Sequence, residues 1–391
     1  MTALNILVRA CCTGFSRHGQ ARGPIDTCRR GTLFLFCILH SAFCILSSGC
    51  HPAREPLRVQ WLTMGTFAAV QCADHASAPQ ARDITQAAFD GLNRELSAWK
   101  GDSVLMAVNR AAGSAEPVPI SSSFETVLRF ALTVCKESDG AFNPLIGPVM
   151  RVWGFNGAAS RTAPPDAAEL RAAAALADWR SIEFVALTNG TALRLPVPGM
   201  QLDLGAIAKG YAVDVAWERL RAARHTNLLI DLGGNLRAIG EAAPGRGGWR
   251  TGVRNPFEGG GLISKFLMRD GEAVATSGNY ERFVEIEGVR YAHIMNPRTG
   301  KPVTGMAGTT VVAPTAVLAD ALSTTLFILG PQKGAELLRN HPGCDALWIP
   351  DTPTNLTVYA TSGMAERLTP IGNTPYTLKV VSSESSGQSR R

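Results

Sequence analysis

The chain has 391 residues, 46% of them hydrophobic and 18% charged, a balance that permits a large buried core and excludes an intrinsically disordered chain. Its formal net charge of +6 is unevenly placed: taking away the five arginines (Arg9, Arg17, Arg22, Arg29, Arg30) and one aspartate (Asp26) of residues 1–50 reduces 38 basic and 32 acidic side chains to 33 and 31. A body so close to neutral carries no nucleic-acid footprint.

In chain order, the first feature reads as an address. Arg29–Arg30 precede an apolar run over 31–46, followed by Ser47, Ser48, Gly49 and Cys50. This is the positive region, apolar region and small-residue cleavage site of an export signal. The run is short for a membrane span, which takes about 20 apolar residues. Cys50 after small residues resembles the lipidated cysteine of a bacterial lipoprotein signal; an ordinary cleaved signal peptide or an uncleaved anchor is the alternative. Six of nine cysteines fall in residues 1–50. Cys72, Cys135 and Cys344 have no metal-ligand spacing and allow one disulfide at most. Residues 51–58 read as a linker.

The body is expected from Val59, with a strand-like stretch broken at Met64-Gly65-Thr66. Residues 82–99 carry Ile84, Ala87, Ala88, Leu92 and Leu96 at helical spacing. Ser122-x-x-Glu125 is a capping box for a helix over 124–135, and Asp166 is placed to cap an Ala-rich helix over 167–179. Strands are expected at 182–187 and 193–195, then a strand at 201–204 running into a helix over 206–223. A strand at 227–232 ends in Gly233–Gly234. Residues 262–275 and 282–295 read as hairpins turning at Asp270–Gly271 and Glu287–Gly288. A helix lies between Pro314 and Gly330–Pro331, both boundary signals, and a further helix covers 331–340. Strands at 347–349 and 357–359 precede a strand remnant and a polar tail, 372–391. Strands and helices mix without regular alternation, which predicts an α+β fold of mixed sheets with packed helices.

The chemistry concentrates in a few segments. Asp320 and Thr324, four apart on a helix, share a face, and two hard oxygen ligands there suit Mg²⁺ completed by water and phosphate. Leu202–Gly210 (LDLGAIAKG) passes into a helix start, where free N–H groups and Lys209 favour an anion. Asp231-Leu232-Gly233-Gly234-Asn235, Thr276-Ser277-Gly278 and Asn296–Gly300 are turn chemistry when taken singly, and His293 alone reads as a packed strand histidine.

Their order carries more. Met64-Gly65-Thr66, Leu96-Ser97 through Ser103 to Asn109, Gly140–Pro144, Gly147-Pro148 and Trp153-Gly154-Phe155 come first. LDLGAIAKGYAVD (Leu202–Asp214), IDLGGN (Ile230–Asn235), ATSGNYERF (Ala275–Phe283), AHIMNPRTGKPV (Ala292–Val303) and ADALSTTLFILG (Ala319–Gly330) follow. Over Val59–Ile371 this series resembles the FAD:protein FMN transferases, the ApbE-like flavin transferases. The resemblance implies the ApbE-like fold and a Mg²⁺-dependent transfer of FMN from FAD to a Thr or Ser hydroxyl of an acceptor protein, with release of AMP. Asp320 and Thr324 fall on the family's metal positions, with a backbone carbonyl of the Gly205–Ala208 turn, at Ala206 or Ala208, as a third ligand. The resemblance also implies that Lys209 and the helix start beside it hold phosphate and that Asp203 belongs to the cofactor-binding set. Met64, Ser277, Gly278 and His293 match the flavin-binding blocks, His293 also as a catalytic group, and Asp231 is placed to hold a ribose or adenine edge. The acceptor is expected in a membrane redox complex, with this chain on the periplasmic side of the inner membrane, lipid-anchored at Cys50. The alternatives are an FAD pyrophosphatase using the same site and a non-catalytic FAD-binding lipoprotein. Val104, Asn143 and Asn296 stand where the family often has acidic residues, which leaves the general base open.

Overall fold

The computed structural model describes residues 54–155, 161–257, 260–372 and 375–381; the segment read as an export signal, Cys50, residues 51–53 of the linker and the polar tail after 381 lie outside them. Nine strands form one sheet: β1 (Leu57–Thr63), β2 (Thr66–Cys72), β3 (Leu228–Leu232), β4 (Asn235–Ile239), β5 (Ala273–Gly278), β6 (Met306–Ala313), β7 (Asp345–Pro350), β8 (Thr357–Ala360) and β9 (Thr377–Val380). Their order across the sheet is their order along the chain. All neighbours are antiparallel except β8 and β9, which run parallel. The β1 strand begins at Leu57, inside the segment read as a linker.

The period-2 pattern of these strands sorts two cores. Ala273, Ala275, Val311, Ala313, Ala346 and Trp348 face a helical layer. Val274, Val312, Leu347 and Ile349 face a smaller sheet containing Trp249, Val253 and Phe266. Every residue of β6 is buried, as expected of a strand covered on both faces. Each such Val or Leu contributes about 1.5–3 kcal/mol.

The helical layer contains α1 (Ala78–Leu96), α2 (Ser122–Glu137), α3 (Ala208–Ala222) and α4 (Ala316–Leu338). α1 starts four residues earlier than its apolar spacing suggested, because Pro79 is tolerated in a first turn. The cap of α2 is Ser121, not Ser122: its Oγ accepts from Phe124 N at 3.0 Å, while Glu125 pairs with Arg129 at 2.7 Å instead of reaching back. Asp166 caps as expected, in a reciprocal box with Glu169, but that helix stops at Ala175. Residues 201–204 join no sheet, bonding instead to the loop before Gly147 through Asp203 N to Pro144 O at 2.8 Å and Gly147 N to Gln201 O at 3.2 Å, and α3 begins only at Ala208. Gly330, at φ 75°, breaks α4, and Pro331 opens a second helical stretch directly.

One expected hairpin is absent. Strand Leu262–Met268 pairs with Trp249–Arg254 in the smaller sheet, whereas β5 pairs with β4 and β6; the Asp270–Gly271 turn carries the chain between sheets. The other hairpin is present, Phe283–Ile286 against Val289–Ala292, with Glu287 and Gly288 both at positive φ, the geometry a tight two-residue turn needs. Cys72, Cys135 and Cys344 are free thiols, so the single permitted disulfide does not form.

Helices α3 and α4 meet at Gly210. A Cβ there would lie 2.2 Å from Ala316 O and 2.7 Å from Asp320 Cβ. Gly210→Ala is expected to force the two helix starts apart and to lower stability by about 1–3 kcal/mol, measured by denaturant unfolding; an unchanged midpoint would refute the close approach.

Candidate active site

A cleft of about 470 Å³ opens between the helical layer and the loops at one end of β2 and β5. All the site residues expected from the sequence except Asp231 line it: Met64, Asp203, Ala206, Lys209, Ser277, Gly278, His293, Asp320 and Thr324. Apolar walls come from Leu96, Phe142, Ile146, Met150, Met295 and Ile328.

Local sequence explains how each polar group arrives. Met64 (φ 47°) and Gly65 (φ 71°) form the two-residue turn between β1 and β2, which holds a non-glycine residue in a sparsely populated region at the cleft wall. Ser277 follows Ala273 and Ala275 in the alternation of β5, so it faces α4. Its hydroxyl lies 3.1 Å from Thr324 Oγ1 and 2.9 Å from Ser323 Oγ, and Ser323 in turn donates to Asp320 O at 2.9 Å. Asp203 Oδ1 accepts from Gly205 N at 2.7 Å, shaping the turn before α3.

Asp320 is 4% exposed. A carboxylate so buried needs compensation. It receives Gly210 N at 2.9 Å, and Lys209 Nζ lies 3.5 Å away, itself donating to Gly205 O at 3.0 Å. Among the described residues no three His, Cys, Asp or Glu side chains cluster as a metal site. A cation here would rest on one carboxylate, on hydroxyl and carbonyl oxygens, and on oxygens of its ligand. That hard-oxygen donor set from Asp320, Thr324 and the Ala206 turn fits Mg²⁺.

His293 lies just past strand Val289–Ala292. Its Nδ1 is 3.1 Å from Arg282 O; a carbonyl only accepts, so Nδ1 carries the hydrogen and Nε2 keeps its lone pair. Burial, reinforced by the Arg282 charge, lowers its pKa to about 4.

Asp231 belongs elsewhere. On β3 it points away from the face of Ile230 and Leu232, its Oδ2 pairs with Arg58 at 3.0 Å, and its Oδ1 accepts from Gly234 N at 3.0 Å. It holds the edge strand and the Gly233–Gly234 turn and does not line the cleft. Two expected departures also have local roles: the Asn143 amide donates to Ala177 O at 2.8 Å, which a carboxylate could not do, and Asn296 Oδ1 accepts from Arg298 N at 3.0 Å.

Sequence reading missed the groups that hold α4. Asp214 of α3 accepts from Ala316 N at 2.7 Å and Val317 N at 2.8 Å, and pairs with Arg237 at 2.6 Å. Asp214 closes the LDLGAIAKGYAVD block, so its presence was visible although its target was not. Arg237, three residues past the Gly233–Gly234 turn, gave no signal.

An α+β cleft with oxygen donors on one helix, facing a lysine at the start of another beside an apolar wall, offers the donors that a metal-complexed phosphate would need. The chain belongs to the ApbE family, whose model matches residues 64–348. A relative from Treponema pallidum called FAD:protein FMN transferase is 38% identical over 332 residues, covering 81% of this chain and 89% of its own. One of the same name from Klebsiella pneumoniae is 31% identical over 308 residues, 76% and 87% of the two chains. Among solved structures, the flavin transferase ApbE from Vibrio cholerae superposes with a TM-score of 0.70 at 27% identity, covering 80% of this chain and 99% of that one. The apo flavinyl transferase ApbE of Pseudomonas stutzeri gives 0.67 at 29%, covering 80% and 96%.

Because the folded protein binds the His293 proton less readily than the unfolded chain, the histidine's contribution to stability is complete above pH 6.5 and shrinks as pH falls toward 4. The expected result is a His293 ring that titrates near 4 by NMR and a melting-temperature difference from His293→Asn that narrows with acidification. Titration near 6.5 would show the ring to be solvated.

Proposed function

We propose that the protein is an FAD:protein FMN transferase, holding Mg²⁺–FAD in the cleft and passing FMN to a Thr or Ser hydroxyl of an acceptor protein. The observation that carries this is the cluster of Asp320, Thr324 and Ser277 facing Lys209 in a cleft with apolar walls, in a chain whose relatives bear that name. Asp320, Thr324 and the Ala206 carbonyl would hold Mg²⁺, which supplies neutralisation of the charge developing on the AMP phosphate. Lys209 compensates Asp320 and binds phosphate oxygen. The apolar walls receive the ring system. The acceptor oxygen bonds to phosphorus of the FMN half, the bond from that phosphorus to the bridging oxygen breaks, and AMP leaves with the electron pair. His293, neutral with Nε2 unprotonated, accepts the hydroxyl proton.

The same reading extends to place. The Arg29–Cys50 pattern supports export with a lipid anchor at Cys50 on the periplasmic side of the inner membrane, where the acceptor would be a subunit of a membrane redox complex. No helix of the described residues is long and apolar enough to cross a membrane.

The test is incubation of the protein with Mg²⁺ and FAD, with and without an acceptor subunit, followed by AMP release and protein-bound flavin fluorescence. AMP release with label on the acceptor supports the transferase; AMP release with free FMN only, whatever the acceptor, makes it a pyrophosphatase; retention of intact FAD makes it a binding protein. Asp320→Ala is expected to reduce FAD cleavage by at least about 100-fold while costing about 1–2 kcal/mol of stability through the lost cap; full activity would remove the metal argument. Lys209→Ala is expected to raise KM for FAD about tenfold or more; an unchanged KM would show that the lysine meets no phosphate.

A further inference from the structure

The N-termini of α3 and α4 share an arrangement that neither helix supplies for itself. The N-cap residues, Ile207 and Thr315, make no side-chain cap. Each helix is capped instead by an aspartate of the other: Asp214 of α3 takes Ala316 N and Val317 N at 2.7 and 2.8 Å, and Asp320 of α4 takes Gly210 N at 2.9 Å. Gly210 and Asp214 are one turn apart, as are Ala316 and Asp320. The two turns are thus pinned to each other at both ends, with Gly210 allowing contact at 2.2 Å from a notional Cβ to Ala316 O.

Arg237 ties this clamp to the sheet. Its Nη1 pairs with Asp214 at 2.6 Å, its Nη2 donates to Pro314 O at 3.2 Å, and its guanidinium stacks 3.9 Å over Trp217. Asp214 and Arg237 are both 7% exposed and neither lines the cleft. An ion pair buried this deeply gains little net stability, so its value lies in what it fixes. What it fixes is the first turn of α4, about 6 Å of helix rise before Asp320.

We propose that Asp214 and Arg237 are positioning residues that set the register of α4 against α3 and so hold Asp320 and Thr324 where they meet the metal-complexed substrate. This rests on the transferase reading of the cleft. The effect runs through backbone groups: with the Asp214 carboxylate altered, the start of α4 loses two charge-assisted bonds, and Asp320 has only Gly210 N and Lys209 to place it.

The experiment compares wild type with Asp214→Asn, which keeps shape and one acceptor oxygen, and with Arg237→Lys, which keeps the charge but not the fork. Mn²⁺ binding by calorimetry is read beside FAD-cleavage kinetics and far-ultraviolet circular dichroism. For Asp214→Asn, Mn²⁺ affinity and kcat are each expected to fall about 10- to 100-fold with KM for FAD within about threefold and a native spectrum. Arg237→Lys is expected to move both in the same direction by a smaller factor, and it decides the matter should the Asn variant fail to fold. Wild-type Mn²⁺ affinity and kcat in a folded variant, with only a lowered melting temperature, would overturn the proposal. If wild type cleaves no FAD, the transferase reading falls, while the Mn²⁺ titrations still decide whether the clamp positions the oxygen ligands.

Discussion

The structure turns on one reciprocal arrangement, two helices each capping the other with an aspartate. A helix start leaves several backbone N–H groups without intrahelical partners, and here Gly210 N of α3 and Ala316 N and Val317 N of α4 are satisfied across the interface between the two helices. The carboxylates are buried, so desolvation would penalise them without such partners. The backbone N–H groups, Lys209 and Arg237 provide the compensation. The geometry of the cleft follows. Asp320 cannot move without uncapping α3, and α3 cannot shift without releasing the start of α4.

The central sheet serves this pair as a platform. Because strand order follows chain order, the helices are insertions between neighbouring strands: α1, α2 and α3 between β2 and β3, and α4 between β6 and β7. Alternation along β5 puts Ser277 on the same face as α4, joining the sheet to the hydroxyls of Ser323 and Thr324. Ligand-facing residues therefore come from segments more than 200 residues apart, each delivered by a local rule: a tight turn for Met64, a period of two for Ser277, a period of four for Asp320 and Thr324.

Those local rules are why much was legible in advance. Helical spacing revealed α1, α2 and α4, turn residues revealed the β1–β2 connection, and the i, i+4 pair announced its own face. Non-local choices were not legible. Nothing in residues 262–275 says that its two strands join different sheets, since pairing partners are chosen by the whole fold. Asp231 sits in a Gly-rich turn that looks like ligand chemistry, yet its carboxylate is taken by Arg58 and Gly234. Asp214 was visible as a residue, but its task, capping a helix that starts 102 positions later, depends on a contact that only the fold creates.

The three sulfhydryls of the folded body are shielded from thiol chemistry. Cys72 and Cys135 are fully enclosed, and burial pushes all three upward, Cys135 and Cys344 to about 12. Thiolate, the species that oxidants and exchange partners attack, is therefore scarce at each of them. Once folded, the body is therefore poorly susceptible to oxidation or cross-linking through these three side chains.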